Sequence, residues 1–227
     1  MNELLFLLAI FLCLSGTLVF YKLFGKNGLM AFAIFGTLLG NVAVCKCISL
    51  FGFDTTCGNV LYASTFLVTD ILSEKYGKEE AAKTVKYCFA VMLLWLIASQ
   101  FILAFNPSES DYVNESFKTV FGLAPRITLA SLCGFICSQN LDVFLYHYIH
   151  KKTGDNEKKL WIRNNVSTLT SQLLDTVIFT SVAFLGIYPG NIFVSIMITT
   201  YVFKAIVAIF DTPFIYLACK LKINEEK

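Results

Sequence analysis

Six uncharged stretches govern what this chain can become: Leu4 to Phe20, Asn27 to Cys45, Thr55 to Thr69, Tyr87 to Ser108, Ile127 to Leu141 and Thr176 to Phe203. Runs of this kind approach or exceed the roughly 20 apolar residues an α-helix needs to cross hydrocarbon. Charged residues make up only 15% of the 227-residue chain, against about a quarter in an ordinary soluble domain. The expected fold class is an all-α polytopic membrane protein. No connection is long enough to build a soluble core of its own.

Seven spans are expected, at 3–21, 28–50, 57–73, 84–105, 125–149, 164–187 and 191–219, the last two divided by the Pro-Gly turn in "YPGN". Their connections alternate in basic charge. Two lysines lie in 22–27, four in 74–86, five Lys or Arg (Arg163 included) in 150–163 and three from Lys220 onward. The intervening 51–56 and 188–190 have none, and 106–124 has only Lys118. Cytoplasmic loops carry the Lys and Arg excess, so the N-terminus is expected outside and the C-terminus in the cytoplasm of a plasma-membrane protein. The first span is read as an anchor and not as a cleaved leader, because "MNELLF" lacks a positive start and carries Glu3.

The informative residues are those that lipid would reject. "STFLVTDILSEKYG" sets Thr69, Asp70 and Glu74 in the third span; Asn41 and Lys46 fall in the second. Gln139, Asn140 and Asp142 lie in the fifth, Asn164, Thr168, Gln172 and Asp175 in the sixth, and Lys204 and Asp211 in the seventh. A carboxylate near the bilayer centre costs about 2.5 to 3.5 kcal/mol on insertion scales. Each such group must therefore face a partner, water or the bundle interior. Thr168, Gln172 and Asp175 fall on one helical stripe; Gln139 and Asp142 share another with Tyr146. Lys204 is too deep to snorkel easily and calls for a carboxylate, with Asp70, Asp142 and Asp175 as the candidates. Turning these stripes toward a common cavity satisfies them together. Polar contacts that only fix packing are the plainer alternative. Small residues already provide adhesion, in Gly36 with Gly40 and Ser131 with Gly134.

No metal or cofactor is expected. Cys133 and Cys137 share a helix face, but no histidine lies within a turn of them. His147 and His150 sit beside Lys151 and Lys152 at a span end, as interfacial residues do. Nothing in the pattern calls for nucleic acid.

The motifs "GFDTTCGNVLYASTFLVTDILSEKYG" (52–77), "SQNLDVFLYHYIHKKTGDNEKKLWIRNNVSTLTSQLLDTVIF" (138–179) and "YVFKAIVAIFDTPFIY" (201–216) resemble the queuosine precursor transporter family. That family, also called vitamin-uptake-like, is related to the S-components of energy-coupling-factor transporters. The resemblance runs from about Met30 to Lys220 and implies a six-helix core over 28–220. An additional helix and cytoplasmic loop occupy 1–27, and a cytoplasmic tail 221–227. It also implies import of deazaguanine bases or queuine for tRNA modification. A guanine-like edge asks for carboxylate or amide acceptors and a donor. Asp70, Asp142, Asp175, Gln139, Gln172 and Asn41 are candidates for the first, Lys204 for the second, with Thr69 and Glu74 beside them and Tyr62 and Phe66 as an aromatic wall.

The alternative within transport is a substrate-binding subunit for another heterocycle or vitamin, dependent on a separate ATPase module. The chain itself has no Walker element. Intramembrane carboxylates permit a proton as coupling ion. An intramembrane enzyme is disfavoured by the lack of H-E-x-x-H and G-x-S-x-G. A channel or structural subunit would pair its polar stripes off separately.

Overall fold

The computed structural model describes residues 1–122, 125–154, 159–186 and 189–221; within these, the side chains of 47, 53–56, 62–63, 127, 191–192, 195 and 207–211 are not described. The side chains of Tyr62 and Asp211, Tyr188 of the Pro-Gly turn and the tail from 222 thus lie outside the described residues. The order is α1 (Asn2–Ala43), β1 (Cys47–Leu50), β2 (Phe53–Thr56), α2 (Gly58–Lys75), α3 (Lys78–Ala104), α4 (Asn114–Gly122), α5 (Pro125–Thr153), α6 (Leu160–Phe184) and α7 (Gly190–Lys220).

α1 is bent back on itself. Gly25 has φ 56° and ψ −138°, a conformation open to glycine and strained for other residues. The two arms then lie together, so that the rings of Phe20 and Phe32 meet at 5.3 Å. A Cβ on Gly28 would stand 2.2 Å from the Phe20 carbonyl oxygen, so the crossing admits no side chain there. The arms correspond to the expected spans at 3–21 and 28–50, with one correction. The second arm stops at Ala43, and Lys46 lies exposed in the turn beyond it. It is not a charge buried in a helix.

The residues that were expected to finish that span instead form a short antiparallel ribbon, pairing Cys47 with Thr56 and Leu50 with Phe53. Its turn places both Phe51 (φ 52°) and Gly52 (φ 83°) at positive φ, matching the twist of the strands it joins. The all-α expectation therefore holds except for this ribbon among the described residues. The 106–124 connection also departs from a plain loop, since it contains α4. Asp111 accepts hydrogen bonds from the amides of Val113 and Asn114 at 2.9 and 3.1 Å, and Phe121 of α4 rests 5.9 Å from Trp95 of α3.

Close backbone approach packs the second arm of α1 on α2. A Cβ on Gly36 would lie 3.2 Å from Thr65 Oγ1, and one on Gly58 would lie 3.0 Å from the Gly40 carbonyl oxygen. This is the small-residue surface expected of Gly36 and Gly40. Among the described residues α1, α3 and the 128–153 part of α5 are long and apolar enough to cross a membrane by length and composition. The polar stripes of α2 and α6 break up their apolar character.

The basic connections gather at one end of the bundle. Lys26 pairs with Glu80 at 3.2 Å, Lys75 Nζ donates to the Cys219 carbonyl at 2.7 Å, and Tyr216 Oη accepts from the Trp161 amide at 3.2 Å. At the opposite end Asn2 Nδ2 donates to Ser49 O at 3.2 Å and the Phe51 amide to Glu3 Oε1 at 3.4 Å. Arg126 closes that end by donating to the Val182 and Leu185 carbonyls at 2.7 and 2.9 Å.

Candidate functional site

Polar side chains from α2, α5, α6 and α7 form a buried column through the bundle. Its register comes from α5 and α6, which pack antiparallel along their lengths. Ser171 Oγ donates to Asp142 Oδ1 at 3.0 Å, while a Cβ on Gly134 would sit 2.7 Å from Asp175 Oδ1. These two contacts lie about 12 Å apart along α5 at 1.5 Å per residue.

Nearest the basic end, Glu74 of α2 accepts from Tyr146 Oη of α5 and from Arg163 Nη2 of α6, each at 2.8 Å. Arg163 also donates to the Gly154 carbonyl at 2.9 Å. Counted from sequence as a cation of the 150–163 connection, Arg163 is in fact fully buried, at 0% exposure. Its position within α6 hides it, and no spacing in "WIRNN" distinguishes it from an interfacial arginine.

One level further, Asp70 and Asp142 come within hydrogen-bonding reach of each other. Thr168 Oγ1 donates to Asp70 Oδ2 at 3.3 Å, alongside the Ser171 bond to Asp142. Both aspartates are buried, as are Ser167, Thr168 and Ser171. Thr69, beside Asp70, spends its hydroxyl on the Phe66 carbonyl of its own helix at 2.8 Å. Phe66 is buried too.

At the far level Lys204 of α7 pairs with Asp175 of α6. Of the three carboxylates that could answer this ammonium, Asp175 is the one it meets. Gly134 of α5 makes room for the pair, because no side chain intervenes between the α5 backbone and the Asp175 carboxylate.

Gln139 and Gln172 fall between these two levels in the antiparallel register. Both are buried, at 0% and 1% exposure. Neither Oε1 nor Nε2 of Gln139 has a partner, and neither does Oε1 of Gln172. Buried polar atoms are ordinarily hydrogen-bonded, and leaving one unpaired costs about 1–3 kcal/mol. Two such amides held between an acidic level and a Lys–Asp pair offer acceptors and donors to a small polar ligand.

The remaining candidate lies apart. Asn41 is buried in the second arm of α1, its Nδ2 reaching only the Thr37 carbonyl at 3.5 Å. Its neighbours on α2 lie near Gly58, about 18 Å of helix from Asp70. A separate cavity of about 430 Å³ sits near this end, between the arms of α1 and the start of α2. Leu5, Phe6, Leu39, Val60 and Leu61 make it mostly apolar, with Lys46 and Asn2 at its rim. Among the described residues no group of three His, Cys, Asp or Glu side chains could hold a metal.

A family model described as "Putative vitamin uptake transporter" matches residues 56–218, which include every residue of the column. A Bacillus subtilis protein named "Probable queuosine precursor transporter" is 44% identical over 92% of this chain and 91% of its own. The Escherichia coli "Queuosine precursor transporter" is 26% identical over 71% of each chain. A Haemophilus influenzae protein named "Probable queuosine precursor transporter" is 30% identical over 59% of this chain and 54% of its own. No solved structure matches. The length of the family match and the similarity across nearly the whole chain establish that it belongs to the queuosine precursor transporter family of multi-pass membrane proteins.

Proposed function

We propose that this chain imports queuosine precursors, deazaguanine bases or queuine, across the plasma membrane for tRNA modification. The unpartnered amide of Gln139 and the unpartnered Oε1 of Gln172 carry the reading at the level of the site. A guanine-like edge presents adjacent N–H donors and a carbonyl acceptor. Amide oxygens and the carboxylates of Asp70, Asp142 and Asp175 suit the donors, and Lys204 suits the acceptor. Sites that hydrogen-bond their ligand reject analogues lacking the matching groups, because a buried partner is then left unsatisfied. This answers why lipid-facing energetics are overridden at Asp70: the carboxyl is covered by protein and contributes discrimination.

In this reading the chain spans the membrane seven times, the arms of α1 counting as two spans, with the N-terminus outside and the C-terminus in the cytoplasm. The gathering of Lys26, Lys75 and the 150–163 region at one end of the bundle supports that sidedness. Residues 28–220 are the transporting core and 1–27 an added arm. The likeness to proteins named as queuosine precursor transporters supports the substrate class.

The test is calorimetric titration of the purified protein with cyano-deazaguanine, aminomethyl-deazaguanine, queuine and guanine. Binding of at least one deazapurine, weakened at least tenfold by Gln139→Met, is expected. Failure of the whole panel to bind, or binding indifferent to that substitution, rejects the assignment.

A further inference from the structure

The two aspartates at the middle level have an arrangement that base recognition alone does not require. Asp70 and Asp142 approach each other from α2 and α5 within hydrogen-bonding reach. Their approach is also fixed from the third side. Thr168 and Ser171, adjacent on one face of α6, donate to Asp70 Oδ2 and Asp142 Oδ1 respectively, and Ser171 Oγ lies 3.0 Å from the Thr168 carbonyl. Two hydroxyls one helical turn apart thus hold two carboxyl groups side by side in protein interior.

Among the described residues, Tyr146 of α5 lies within electrostatic range of Asp70, and the other buried charged groups on the packed helices have partners of their own. Glu74 of α2 is held by Tyr146 of α5 and Arg163 of α6; Asp175 of α6 is held by Lys204 of α7. Cys88 of α3 turns to Thr37 of α1, and the Asp211 side chain of α7 is outside the described residues. Two carboxylates in contact cannot both ionise without strong repulsion, whereas one proton between them turns repulsion into a short hydrogen bond.

We infer that Asp70 and Asp142 hold one proton between them and form the proton-carrying site that couples base uptake to proton movement. Loading forms an O–H bond on a carboxylate oxygen; release breaks that bond and returns the proton to water on the less acidic side. The base crosses chemically unchanged. α6 supplies the link, since Gln172 follows Ser171 directly. A base drawing on the Gln172 amide turns the Ser171 hydroxyl away from Asp142; with that donor gone the pair holds its proton more tightly, so base and proton cross together. The coupling half of this inference rests on the transport reading; the shared proton does not.

Two measurements separate them. Infrared spectra of the purified protein near pH 7.5, without base, should contain a protonated-carboxyl carbonyl band that shifts in D2O and is missing in Asp70→Asn/Asp142→Asn. Both replacements are isosteric, and monodisperse elution confirms that the variant is folded. Identical spectra for variant and wild type overturn the shared proton. In proteoliposomes clamped at zero membrane potential, one pH unit, acid on the side of addition, should concentrate radiolabelled cyano-deazaguanine about tenfold, as one proton per base requires. Equilibration without accumulation overturns the coupling and leaves transport intact. A probe that never crosses rejects the transport reading, and the infrared result then decides the pair alone.

Discussion

Arg163 and Glu74 form an ion pair at 2.8 Å with the guanidinium entirely buried, joining α6 to α2 across the base of the polar column. Tyr146 also donates to Glu74, and Arg163 also donates to the Gly154 carbonyl. Removing one partner of such a pair strands the other charge, a loss of about 3–5 kcal/mol. Arg163→Met and Glu74→Gln should each lower the detergent melting temperature markedly, and Glu74→Met/Arg163→Met should recover part of the loss. Arg163→Lys should not rescue, because an ammonium cannot present the fork that reaches Glu74 and Gly154 together. Thermal melts followed by size-exclusion chromatography check all four.

Gln139 separates stability from function. Its amide is buried with no partner, so Gln139→Met removes an unsatisfied group at little change in volume. Stability should rise by about 1–3 kcal/mol, while deazaguanine binding falls. A variant that is both less stable and equally able to bind would contradict the assignment of the amide to ligand.

Lys204 and Asp175 should behave as a unit. Lys204→Met leaves the Asp175 carboxylate buried without its ammonium, and Asp175→Asn does the reverse. Each should abolish uptake and reduce expression of folded protein. The double variant should regain stability and remain inactive, measured by melting and by uptake of labelled base in cells lacking their own transporter.

Gly134 sets the position of the Asp175 carboxylate. A Cβ there would sit 2.7 Å from Oδ1 and 3.3 Å from the Asp175 carbonyl oxygen, so α5 and α6 must separate or Asp175 must turn. Overpacking of this kind costs about 1–3 kcal/mol. Gly134→Ala should therefore weaken base binding more than Gly36→Ala, whose contact is a threonine hydroxyl at 3.2 Å on the α1–α2 seam. Titration of both variants decides it.

Sidedness is testable without substrate. Asn2→Cys should react with an impermeant maleimide in intact spheroplasts, and Lys152→Cys only after permeabilisation. The opposite pattern would invert the membrane orientation.

Much of this was legible from residue order. The stripe of Thr168, Gln172 and Asp175 is buried as expected, and Lys204 does meet an aspartate. Helical periodicity places residues on a face but does not choose among partners on other helices. It could name Asp70, Asp142 and Asp175 for Lys204 without selecting Asp175. The ribbon at 47–56 was hidden because Ile48, Leu50 and Phe53 continue an apolar run, and Phe51 occupies a turn position where Asn or Gly would have signalled it. α4 escaped because nine residues leave too few turns for periodicity to stand out. Arg163 was misplaced because charge counting assigns every arginine near a span end to water, and only tertiary contact with Glu74 draws it inside.

The clasp between Asn2, Glu3 and the ribbon has a mechanical result when set against the crease at Gly25. Residues 2–24 make a rod about 33 Å long, gripped at its tip and creased at its foot. Shifting the ribbon outward by about 3 Å would swing that rod through roughly 5°. A displacement of the ribbon is thus taken up as a rotation of residues 2–24 about the crease at Gly25.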